Sequence, residues 1–330
     1  MRFASRLSRF GRFGRHALMA LLGAAFMPAA LAWSDKPVKL LVPAPAGGTI
    51  DVIARMLADQ LVADTGQAMV VDNKPGAGGA IAVQALRAAP ADGQTVLVTA
   101  SNVLTEIPHV LKGGFDPLKD VKAIGIIARA NMVMIAAPNA PAKDLKSFVA
   151  YTKKNPGTVN FASYSAGTIS HYAGMIMNQK AGLDMVHVPF AGSPPGLAQV
   201  MGGQIPVMFD GIATSRNLIA TGKVQAWAVA SAKRLSVLPD VPTMTELGYP
   251  ELNFSNWLGV VVSPNMPAEM QEKIHKAVRN VALNPKFRGR MFAAGFEAAE
   301  DWNIQQLNDS VRTDFERNGA IVKQFNIKLQ

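Results

Sequence analysis

Two kinds of apolar run take turns along the chain. Val38 to Val42 is short, nearly all apolar and closed by Pro43, the pattern of a strand buried on both faces as in a parallel sheet. Behind it, Ile50, Ile53, Ala54, Leu57, Ala58, Leu61 and Val62 recur at helical spacing, which predicts a helix with Gly66 as its C-terminal stop. A strand at Met69 to Val71, a Gly-rich turn with a short helix through Leu86, and a strand at Thr95 to Ala100 follow. Strand, helix, strand, helix, strand implies a right-handed parallel arrangement.

The alternation restarts at Met132 to Ala137. It continues through a helix near Leu145 to Lys154, a strand at Val159 to Ala162, a helix after Thr168 and a strand at Met185 to Val188. Further strands are predicted at Ile205 to Phe209 and Gln225 to Ala230. A stretch punctuated by Pro239, Pro242 and Pro250 comes next, and then a strand at Trp257 to Val262. After Pro267 the pattern is helical, with Met270, Ile274, Ala277, Val278 and Val281 in register and a last helix around Leu307 to Phe325.

The N-terminus follows another rule. Arg2, Arg6, Arg9, Arg12 and Arg15 precede an uncharged, mostly apolar run from Ala17 to an Ala30-Leu31-Ala32 end, which is the pattern of a secretory signal peptide over residues 1–32. The run is interrupted by Gly23 and Pro28 and is shorter than the roughly 20 residues a membrane anchor needs. Those five Arg carry half of the formal charge of +10, and the rest is scattered without a basic block, which argues against nucleic acid as a partner. With 330 residues, 49% of them hydrophobic and no Cys, the chain can bury a large core without disulfides and suits an oxidising compartment.

The two α/β units open alike. One strand leads to Ala46-Gly47-Gly48-Thr49-Ile50 and another to Ser165-Ala166-Gly167-Thr168-Ile169, each entering a helix. Small residues let a backbone approach a ligand, and first-turn amides face outward with the positive end of the helix dipole, so such loops suit an anion. Taken alone, each reads first as a plain strand-to-helix turn, and it is the pair that suggests two facing loops of one kind. Pro75-Gly76-Ala77-Gly78-Gly79 is a third candidate loop; it lacks dinucleotide and P-loop spacing and reads chiefly as a turn, with a ligand contact as the alternative. Ser170 and His171, as helix neighbours, point about 100° apart and form no catalytic dyad. No nucleophile elbow or zinc motif occurs, so neither catalysis, metal nor cofactor is expected. Asp210 ends a strand at the carboxyl edge, where it could meet a ligand or cap the next turn.

Several stretches, in order, resemble the Bordetella-uptake-gene (Bug) family, the solute receptors of tripartite tricarboxylate transporters. They are Pro43 to Asp51, Asp72 to Gly79, His187 to Ser193, Gly202 to Asp210, Ser231 to Arg234 and Leu238 to Thr243. The resemblance implies a periplasmic binding protein of type II, with two α/β domains and a ligand cleft between them. Domain 1 would be residues 33–131 and 257–330, and domain 2 residues 132–256. The implied ligand contacts are Pro45, Ala46, Gly47, Gly48 and Thr49 of the first loop, Ser165, Ala166, Gly167, Thr168 and Ser170 of the second, and Ser101, Asn102, Phe190 and Asp210. Phe190 and Trp257 are candidates for either the pocket or the core.

Two residues depart from the family pattern. Ala44 stands where an aromatic is usual, which puts ligand size in doubt, and Thr168 stands where the second loop usually has Ser. The implied function is capture of a small carboxylate in the periplasm and delivery to a membrane permease, by a monomer. Presentation of the ligand to a signalling kinase is the alternative, and an exported enzyme a remote one.

Overall fold

The computed structural model describes residues 33–34, 36–111, 114–231 and 233–324. The signal-peptide reading, on residues 1–32, lies outside them. In chain order, β1 (Val38–Val42), α1 (Thr49–Thr65), β2 (Met69–Asn73), α2 (Ala80–Ala88), β3 (Thr95–Ala100) and the short helices α3 (Ser101–Thr105) and α4 (Ile107–Val110) build the start of one lobe. β1 pairs in parallel with both β2 and β3, as the alternation of runs predicts.

The next strand changes the architecture. β4 (Lys122–Ala136) has 15 residues, at about 3.3 Å each long enough to serve two sheets in turn. After it come α5 (Leu145–Lys154), β5 (Asn160–Ser163), α6 (Ile169–Ala181), β6 (Val186–Pro189), α7 (Ser193–Met201), β7 (Val207–Gly211), α8 (Ile212–Ala220) and β8 (Gln225–Val229). The chain closes with β9 (Ser255–Val262), α9 (Ala268–Leu283), α10 (Pro285–Ala293), β10 (Phe296–Ala298) and α11 (Ile304–Gln324). Lys122 to Asn131 of β4 pairs with β9, while Met132 to Ala136 pairs with β7 and β8. The strand order β2-β1-β3-β9-β4-β7-β5-β6 is therefore two half-sheets that share β4. Phe254 is still bonded to Ala230 of the second lobe, one residue before β9 joins the first, so two neighbouring segments cross between the lobes.

Each half-sheet is covered on both faces. In the first lobe, Leu40, Val96 and Val98 pack with Ile53, Leu57, Ile274 and Val278, and on the other face Leu41, Leu97 and Val261 pack with Val83, Leu86, Leu307 and Val311. In the second, Met134, Phe161 and Phe209 meet Phe148, Tyr172 and Ile176, while Val133, Ile135 and Met208 face Leu197, Val200 and Ile212. The alternation of Val133, Met134 and Ile135 between faces is the period of two a strand requires.

The observed elements add α3, α4, α8 and α10 to the sequence expectation and differ from it in further ways. The strand expected at Met132 begins ten residues earlier, at Lys122, because Lys122, Arg129 and Asn131 interrupt the apolar signal of its first half. β10 is too short, at three residues, to give a periodic signal. α7 opens with Ser193-Pro194-Pro195, which reads as a loop, yet prolines fit a first helical turn because its amides have no intrahelical acceptor. Finally, α11 serves both lobes: it packs on β4 and α3, and its Val322 joins the core of the second lobe.

Candidate functional site

The two loops singled out in the sequence are built to one plan. Gly47 and Gly167 both take positive φ, at +78° and +72°, where a side chain would be strained. Each precedes an extended N-cap, Gly48 in one loop and Thr168 in the other. In each, the glycine amide donates to a side chain four residues on, Gly47 to Oδ2 of Asp51 at 2.8 Å and Gly167 to Nδ1 of His171 at 3.1 Å. At the start of α6 the Ile169 amide donates to Glu106 and the Ser170 amide to the Tyr164 hydroxyl, while the amides of Thr49, Ile50 and Asp51 on α1, and of His171 on α6, have no acceptor among the described residues. These are the outward-facing donors of a helix start.

The pinning groups are themselves fixed. Burial works to raise Asp51, but hydrogen bonds from Arg55, Gly47 and Asn73 outweigh it and hold the carboxylate below its usual value. Burial pushes His171 down to about 4, so its ring is neutral and Nδ1 is free to accept. That ring stacks on His187 at 3.8 Å between centroids. Ser163 Oγ donates to Ser165 O at 3.1 Å and therefore accepts from Nε2–H of His187 at 2.7 Å. The two histidines are a scaffold under the second loop.

Between the lobes lies a cavity of about 320 Å³. Its wall is mainly apolar, with Ala44, Pro45, Ile50, Val103, Met132, Phe190 and Leu258, and its polar groups are those of Thr49, Asn102, Asn131, Tyr164, Ser165, Thr168, Ser193 and Asn256. Among the described residues, no Asp, Glu, Lys, Arg or His lines it. The lobes touch beside it: Thr49 Oγ1 lies 3.5 Å from Thr214 Oγ1, and a Cβ at Gly192 would overlap the Pro45 ring.

Of the expected contacts, Pro45, Gly48, Thr49, Asn102, Ser165, Thr168 and Phe190 line this cavity, whereas Ala46, Gly47, Ser101, Ala166, Gly167, Ser170 and Asp210 do not. The reasons are local. The amides of Gly47 and Gly167 are spent on Asp51 and His171, Ser101 Oγ donates to Asn256 Oδ1, and Ser170 Oγ to Phe209 O. Asp210 is fully buried. Its Oδ2 accepts from Thr214 Oγ1 at 2.6 Å, a side-chain bond, and no side chain among the described residues caps the amides that open α8. Burial pushes its carboxyl up to about 6 against hydrogen bonds from Ser193, Thr214 and Gly211. Trp257 lies in the core of the first lobe.

Other wall residues were not among the expected contacts. The Pro75 to Gly79 segment, read chiefly as a turn, forms part of the wall. Tyr164 and the Ala191 to Ser193 segment do so too, brought in by the bond from Gly192 N to Tyr164 O. Asn131 and Asn256 come from the crossing strands and carried no signal.

The chain matches the tripartite tricarboxylate transporter family receptor, TctC, over residues 53–327. It belongs to that family. A UPF0065 protein of Bordetella pertussis is 29% identical over 95% of this chain and 97% of its own length. Among solved structures, the periplasmic binding protein BugD is 30% identical, with a TM-score of 0.84 over 90% of this chain and 100% of its own. Rpa4515 of R. palustris, solved with adipate, is 25% identical with a TM-score of 0.87, covering 90% and 100%. MatC of Rhodopseudomonas palustris, solved with bound malate, is 27% identical with a TM-score of 0.81, covering 87% and 99%. The TctC assignment agrees with the Bug resemblance and with a two-lobed α/β periplasmic binding protein of type II.

Proposed function

We propose that this TctC-family receptor is exported through a signal peptide over residues 1–32, captures a small carboxylic acid with an apolar body between its lobes, and hands it to tripartite permease subunits. The observation that carries the reading is the wall of the 320 Å³ cavity, apolar and without an ionisable Asp, Glu, Lys, Arg or His among the described residues, with the starts of α1 and α6 beside it. The unpaired first-turn amides of α1, the His171 amide of α6 and two helix dipoles supply the attraction for a carboxylate. Hydrogen bonds to a charged oxygen contribute roughly 1.5–3 kcal/mol each, and each dipole about 0.3–1 kcal/mol or more where partly buried. Together these reach the roughly 8 kcal/mol of micromolar binding.

The rest of the ligand meets hydrocarbon. Ala44, in the wall where the family usually has an aromatic, leaves room for a longer or flatter acid. The adipate and malate of two related structures support the carboxylate class.

A thermal-shift panel of aliphatic and aromatic mono-, di- and tricarboxylates on residues 33–330 tests the reading. A ligand at 100 times its Kd stabilises by about 2.7 kcal/mol, a shift of several degrees. One responding class of acid, with amino acids and sugars silent, is the expected result. Silence from every acid, with no acid released on denaturing mass spectrometry, would overturn it.

A further inference from the structure

Glu106 belongs to the first lobe, at the turn between α3 and α4, but its carboxyl is set against the second. The Ile169 amide at the start of α6 donates to it, and the Tyr172 hydroxyl on α6 donates to the Glu106 backbone carbonyl at 3.5 Å. Burial, and after it the Glu106 charge, push the phenols of Tyr164 and Tyr172 well above their usual range. Glu106 itself is 4% exposed, and its Oε2 has no partner. A carboxylate there is stripped of water with one amide in exchange, and burial raises the acid to about 8.

The charges around it leave that balance in place. From α11, Arg317 works to ionise Glu106, and Asp314, paired with that Arg at 2.9 Å, works the other way. His109 on α4 is turned to the Phe315 carbonyl at 2.7 Å. Glu106 borders a second cavity, of about 820 Å³, which is also faced by Arg129, Arg234 and Glu251, paired with Glu300, Glu246 and Lys180, and by Lys233 and Glu297.

An acid carried by one lobe and covered by the other is buried only while the lobes are together. Beside the ligand cavity the lobes meet through Pro45 and Gly192 and through Thr49 and Thr214. Parting them to admit a ligand draws Tyr164, Ile169 and Tyr172 away from Glu106 and lets water reach its carboxyl.

We propose that closure over the ligand is proton-linked: Glu106 takes up a proton as the lobes come together and gives it up as they part. The inference rests on the carboxylate reading above and adds regulation of that site by pH. With the lobes apart the acid ionises near its ordinary 4.5, and with them together near 8. Between those values closure consumes a proton, so affinity falls as pH rises, by up to about tenfold per unit, and levels off above the higher one.

Calorimetry with adipate, malate, benzoate and terephthalate at about pH 6, 7, 8 and 9 tests the proposal, in paired buffers of unlike ionisation enthalpy so that the protons taken up are counted. With whichever of these acids binds, the unaltered protein should take up close to one proton per ligand at about pH 7 and lose at least about tenfold in affinity between about pH 6 and 8. Glu106→Gln, neutral at every pH, should take up none and keep its affinity within about threefold over that range. The proton count on the unaltered protein decides the matter even where the variant fails to fold.

Binding without proton uptake, or the same pH dependence in the variant, would overturn the linkage and leave the carboxylate reading standing. Failure of the unaltered protein to bind any acid at any pH would overturn both.

Discussion

Gly167 donates its amide hydrogen to Nδ1 of His171 at 3.1 Å. The bond holds the glycine in its left-handed conformation at the start of α6. Gly47 and Asp51 repeat the device on α1 with a different acceptor. A ring nitrogen can accept only while unprotonated, and burial supplies that condition by pushing His171 down to about 4.

His171→Phe keeps a ring to stack on His187 but removes the acceptor. The orphaned amide should cost about 1–3 kcal/mol, shared between looser helix-start geometry and lower stability. We expect the affinity for the acid found by thermal shift to fall about tenfold by calorimetry, with a cooperative melt retained. Unchanged affinity would show that the second loop holds its shape without the pin.

The kinship of the two loops was legible in the letters, but its register was not. Reading Gly-Thr-Ile against Gly-Thr-Ile pairs Gly48 with Gly167. The backbone pairs Gly47 with Gly167, because the shared feature is a left-handed residue followed by an extended N-cap. The pins escaped notice for the same reason: an Asp and an imidazole are unlike as letters and alike as acceptors. Asp210 was placed correctly at the end of its strand, yet sequence says nothing of a rotamer, and the carboxyl turns to Thr214. Asn131 was invisible because its position is defined by β4 exchanging β9 for β7, a property of two distant strands.

The contact between Pro45 and Gly192 joins the lobes beside the cavity. Gly192 has φ of +118°, and any Cβ there would overlap the proline ring. Gly192→Ala should hold the lobes apart and weaken ligand binding at least tenfold. It also strains the backbone, so the double variant Pro45→Ala/Gly192→Ala separates the two effects. The double variant keeps the strain and relieves the overlap, and most of the affinity should return. Equal losses in the single and double variants would place the defect in the loop's conformation instead of in closure.

Glu106, at the turn between α3 and α4, is buried, and its Oε2 has no partner. Burial pushes its carboxyl up from 4.5 to about 8, only partly opposed by the Ile169 amide at the start of α6 and the Arg317 charge. A raised acid holds its proton longer in the folded state than in the unfolded one. Its contribution is therefore fully present below pH 4.5 and lost as pH rises toward 8. Asp210, raised to about 6, acts in the same direction at lower pH. His171 and His187, pushed down to about 4 and about 3, act in the opposite one. Subtracting the curve of Glu106→Gln from that of the unaltered protein removes those shared terms. The glutamine keeps an acceptor for the Ile169 amide and has no charge to bury. Chemical denaturation from about pH 4 to 9 should show the variant gaining on the unaltered protein by about 1.4 kcal/mol per pH unit between 4.5 and 8, and levelling off above. A constant difference across that range would mean that Glu106 ionises as readily in the fold as outside it.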